Sequence, residues 1–228
     1  MHWLPPADGD PWLRCELTSR GDRIQARLQL PAGAPGDAGR WPLALIAGPD
    51  ARSLPRAEAM ALAWLDLPLR GERASPKWSE RLEACLARGP TGASDQTLLD
   101  GFLAQARSDV ARVLDACAAR DGLDAGRMAF AGLGAGALVG ATLRGVEPRL
   151  RAFLLAPGAL APPLDPICAL AAPAPGTLAL LASDDAGDRA AAWARAAGTS
   201  SERGTSDPLA RALALAAHAL AATPVRRP

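Results

Sequence analysis

The sequence is poor in the residue types on which most side-chain chemistry depends. Two histidines, His2 and His218, and four cysteines, Cys15, Cys85, Cys117 and Cys168, are spread over 228 residues. The cysteines form no CxxC pair, and a zinc site needs clustered Cys or His ligands, so neither a metal nor a cofactor is expected. Reduced, mostly buried thiols of a cytoplasmic protein are the reading that remains. An excess of either charge is lacking too, with 25 Lys and Arg against 24 Asp and Glu. No broad basic surface is left to attract nucleic acid, and there is no acidic tail. The abundance of arginine and alanine is read instead as the mark of a biased, bacterial genome. Long apolar runs are missing as well. "LARALALAAHALAA" falls short of the ~20 residues of a membrane span and carries Arg211 and His218. The opening "MHWLPPADGDPWLRCE" has no basic segment followed by an apolar one, so no signal peptide is expected.

What is present is a full core. Hydrophobic residues make up 49% and charged residues 21%, and the length suits one domain over residues 1–228. "WLRCELTS" and "RIQARLQLP" alternate as a half-exposed pair of strands, with turn residues in "PAGAPGDAGRW". "PLALIAG" is continuously apolar, as in a strand buried on both faces. "AEAMALA" reads as a helix running into the strand "ALAWLDLP", and "KWSERLEACLARG" as a short helix. From about Asp95 to Arg120, Leu99, Phe102, Ala106, Val110, Val113 and Cys117 recur at helical steps and form one buried stripe. The strands "RMAFA", "RLRAFLLAP" and "GTLALLAS" follow, separated by the helix "AGALVGATLRG". "DRAAAWARAAG" and a segment starting at Asp207-Pro208 read as the closing helices. This alternation predicts an α/β fold with a mostly parallel sheet, opened by an antiparallel pair.

The informative turn is "RMAFAGLGAGALVG", which passes from strand to helix through glycines. Gly132 to Ala137 satisfies G-x-G-x-x-A, the turn that lets a pyrophosphate approach a helix N-terminus. An acidic residue for the ribose should then end the next strand, and "AFLLAPGALAPP" has none. The second reading is a nucleophile elbow, G-x-S-x-G. "DLPLRGER", the helix-strand connection "DVARVLDACAARDGLDAGRMAFAG", then "PRLRAFLLAPG" and "PAPGTLALLASDD", resemble the α/β-hydrolases, in the branch of dienelactone-hydrolase-like and prolyl-peptidase-like esterases. The resemblance spans about Arg23 to Asp185. It implies the α/β-hydrolase fold, with helices on both faces; "TSSERGTSDP" has no apolar run for the family's last strand, which is therefore expected to be reduced or missing.

The same resemblance implies a lost active site. Gly134 falls where the family keeps its serine, and neither Leu133 nor Ala135 could replace it. The family's histidine follows the last strand, where this chain reads "TSSERGTSDP". His218 lies well inside the final helix, on the face of Arg211 rather than that of Leu209, Leu213, Ala216 and Leu220. One oxyanion donor is the amide after Gly48, and that residue is Pro49, which has no N–H. Asp50 would have to replace it, while Ala135 could still give the second donor. Of the triad, only an acid at Asp184 or Asp185 remains.

The expectation is therefore a catalytically inactive hydrolase relative, with vestigial positions at Gly134 and Asp185. It would bind a small apolar or ester-like ligand near Trp64, Trp78 or Trp193. Otherwise it would bind a protein partner, a second copy of the chain included. "RGERASPKWSERLEACLARGPTGASD" is the natural variable insertion for either use, its charges read as a solvated face. Two alternatives stand beside it: a weak ester hydrolase working through Asp185, Asp50 and a water, and a dinucleotide-binding protein.

Overall fold

The structure is a computed structural model. It describes residues 3–6, 10–33, 39–48, 59–158, 160–161, 164, 166, 170, 177–182, 191, 193–194, 197, 201–203 and 208–221. Among the described residues eight strands form one sheet: β1 (Leu13–Ser19), β2 (Asp22–Gln29), β3 (Trp41–Ala47), β4 (Ala61–Leu65), β5 (Leu123–Leu133), β6 (Leu150–Ala156), β7 (Thr177–Ala182) and β8 (Ser201–Arg203). Their order is β1-β2-β4-β3-β5-β6-β7-β8. β1 pairs with β2, and β2 with β4, antiparallel; every pairing from β4 onward is parallel.

Burial follows the strand pleat. In β1, Cys15, Leu17 and Ser19 are buried and Arg14, Glu16 and Thr18 exposed, the pattern of a strand with one wet face. β3 and β4 are apolar on both faces because both are covered. On one side, Leu43, Leu45, Phe130 and Phe153 pack under α1 (Pro76–Arg88), α2 (Ala93–Ala118) and α3 (Ala135–Leu143). On the other, Ala44, Ile46, Trp64, Ala129, Ala131 and Leu154 pack with Ala216 and Leu220 of α4 (Pro208–Ala221). Helices on both faces of a mostly parallel sheet are thus found as expected.

Local signals explain the helix ends. α1 has proline in its first turn and stops at Gly89, at φ 88°. Asp95 in the first turn of α2 accepts from the Thr91 amide at 3.1 Å, the Thr91 hydroxyl at 2.7 Å and Arg81 Nε at 2.7 Å. These donors hold its carboxyl at about 2. The predicted stripe of α2 is buried throughout.

Several boundaries differ from the sequence reading. The strand expected at "RMAFA" extends over 11 residues because it starts at Leu123, before the exposed Ala125 and Gly126. The last parallel strand exists, but is reduced to three residues paired with Leu180, Leu181 and Ala182. Of the helix read at "AEAMALA", only Ala57 and Glu58 lie outside the described residues, and Ala59 and Met60 form a bend rather than a helix. Its end, from Ala61, is already strand, hydrogen-bonded between β2 and β3.

The insertion between β4 and α2 is not merely a solvated face. Asp109 of α2 is fully buried and accepts from Arg73 Nη1 at 2.5 Å and Gln105 Nε2 at 2.8 Å. Arg73, itself 13% exposed, also reaches Asp22 at 3.3 Å. Gln105 donates to the Ser19 carbonyl at 3.0 Å. One carboxylate therefore ties α2 to the β1–β2 hairpin and to the turn after β4.

Candidate functional site

β5 ends at Leu133 and α3 begins at Ala135, so a single residue makes the corner. That residue, Gly134, has φ 56° and ψ −119°, which side-chain-bearing residues rarely adopt. Its N–H donates to the Ala156 carbonyl of β6 at 2.8 Å, and its own carbonyl accepts from Ala137 N at 3.0 Å. A Cβ built at Gly134 meets no heavy atom within 4 Å among the described residues. The apex is uncrowded.

Its shoulders are the opposite. A Cβ at Gly132 would overlap the Gly136 carbonyl and come within 2.7 Å of Ala137 N. One at Gly136 would overlap the carbonyl of Ala47, the last residue of β3. The outer two glycines let α3 press onto β5 and β3; this accounts for them without a pyrophosphate. Gly158, beyond β6, has φ 59°, and a Cβ there would lie 3.7 Å from the Gly134 Cα. Across the sheet, Leu133 lies against Gly48, whose Cβ would come within 2.9 Å of Leu133 Cδ1.

Ala135 is buried at the start of α3, among the first-turn amides that have no acceptor inside a helix. His218 is exposed on α4, while its neighbours Ala216 and Leu220 face the sheet. Pro49, Asp50, Asp184, Asp185, His2 and Cys168 lie outside the described residues. Among the described residues, no group of three or more His, Cys, Asp or Glu could hold a metal ion. Cys15, Cys85 and Cys117 are buried and not joined in disulfides. Burial pushes Cys117 up to about 12, and burial together with the nearby Asp95 raises Cys85.

Two of the three tryptophans expected around a pocket belong to the core. Trp64 is buried in the layer under α4, with the Arg27 guanidinium 5.4 Å from its ring centre. Trp193 is fully buried in the opposite layer. Trp78 alone is exposed, on α1, with Lys77 at 5.4 Å and Arg81 at 5.9 Å from its ring.

Sequence reasoning missed Asp66, which directly follows β4. Its half-buried carboxylate accepts the Glu72 amide at 3.1 Å, under a turn in which Leu69 has φ 59° and Gly71 φ 53°. Desolvation, helped by the charge of Glu72, raises it above its ordinary value despite the Glu72 amide bond and the charges of Arg27 and Arg73. Asp109 was missed too, although a carboxylate three residues after Ala106 and four before Val113 stands inside an apolar stripe.

A parallel sheet opened by an antiparallel hairpin, a one-residue corner between β5 and α3, and a final helix against the other face decide the architecture. The chain has the α/β-hydrolase fold. Solved proteins superpose over nearly its whole length. A Klebsiella pneumoniae protein assigned as a dienelactone hydrolase is 17% identical, covering 92% of this chain and 98% of its own, with a TM-score of 0.59. A zinc-bound, cold-adapted esterase from an Arctic intertidal metagenomic library is 16% identical over 96% and 100%, at TM-score 0.62. An acetyl xylan esterase from Paenibacillus sp. R4 is 15% identical over 94% and 85%, at 0.60. No protein-family model matches the sequence, and no curated protein matches it either. In α/β-hydrolase terms, Gly134 stands at the corner between the fifth strand and the following helix. No described helix is long and apolar enough to cross a membrane.

Proposed function

We propose that this α/β-hydrolase-fold protein acts by binding rather than by acyl transfer. The observation that carries the reading is the bare apex: Gly134 has the corner geometry but no oxygen or sulfur to attack an acyl carbon. The base is absent from its place too, since residues 204–207 after β8 read Gly-Thr-Ser-Asp and His218 faces outward on α4. Pro49 removes one amide that could hold an oxyanion, leaving Asp50 and Ala135 as sources. Loss of triad members costs on the order of 10⁶-fold, leaving roughly 10³- to 10⁴-fold over water when the oxyanion site and binding survive. With that site weakened as well, Asp185 has no imidazole to orient. The ligand is a small apolar or ester-like molecule, or the partner is a protein, a second copy of this chain included.

The test is labelling of the purified protein with a fluorophosphonate probe, beside turnover of short p-nitrophenyl esters. We expect no labelling and hydrolysis at the buffer rate, with Gly134→Ser alone restoring neither. Robust labelling or fast turnover would overturn the reading. Slow hydrolysis abolished by Asp185→Asn would replace it with water-based catalysis, and tight retention of NAD or FAD with dinucleotide binding.

A further inference from the structure

We draw no further inference here: the strongest candidate, the side-chain cluster of Asp66, Glu72 and Arg27 at the C-terminal end of β4, rests only on the raised titration of the Asp66 carboxyl, and nothing in the structure shows what its charge would act on.

Discussion

At Gly134 an added methyl would find room but the wrong backbone; at Gly136 it would find an ordinary backbone but no room. The two costs differ in kind. Gly134→Ala places a side chain in sparsely populated geometry, at about 1–3 kcal/mol. Gly136→Ala drives an atom into the Ala47 carbonyl, which no rotamer change relieves. It should reach or pass the upper end of the about 1–3 kcal/mol typical of overpacking. Urea denaturation of both variants measures the difference, and equal losses would mean that the shoulders do not hold the corner. Asp66 offers a second test. Its folded-state carboxyl titrates above the ordinary value, so the folded chain keeps this proton longer than the unfolded one. Stability from this group therefore falls as pH rises through that window, and the charged form opposes folding at neutral pH. Asp66→Asn keeps an acceptor for the Glu72 amide and removes the charge. It should be at least as stable as the parent at pH 7, with the advantage shrinking below the ordinary carboxylate range. A clear loss of stability at pH 7 would refute the assignment.

Among the elements, α2 shows both how far sequence periodicity reaches and where it stops. Six apolar residues at helical spacing locate its buried face, and all six are buried. Periodicity sorts apolar from polar positions, and so it passes over a polar residue that belongs inside. Asp109 is such a residue, buried because Arg73 arrives from a loop 36 positions earlier in the chain. Removing one partner of a buried pair strands the other's charge, at about 3–5 kcal/mol. Asp109→Ala should show a loss of that order in chemical denaturation. A cost below about 1 kcal/mol, the level of an exposed pair, would show that Asp22 and solvent already compensate Arg73. The tryptophans went astray for a related reason. Composition shows that a large aromatic is present, but only the strand register sends Trp64 toward α4 and buries it there. The corner itself was legible because its spacing is local: strand, glycines and helix all fall within 14 residues of text.

The molecule as a whole was read from its alternation of strands and helices, which leaves few ways to arrange a mostly parallel sheet. What could not be read is what meets at the strand ends, since that depends on loops whose course no periodicity sets. One consequence of the packing can be measured over the entire chain. Cys15, Cys85 and Cys117 come from β1, α1 and α2 and are all buried, none of them in a disulfide. Only the thiolate reacts, and Cys117 is held near 12. Iodoacetamide at pH 8 should leave all three unmodified in the native protein and alkylate them together in denaturant, as read by peptide mass mapping. Modification of any one under native conditions would place it outside the core. The layer beneath α4 carries a different implication. Its buried strand residues, from Ala44 to Ala156, are all in place once β6 is made, yet Ala216 and Leu220, which pack against them, are synthesised much later. A nascent chain leaving the ribosome therefore completes these strands well before it carries the two α4 residues that pack on them.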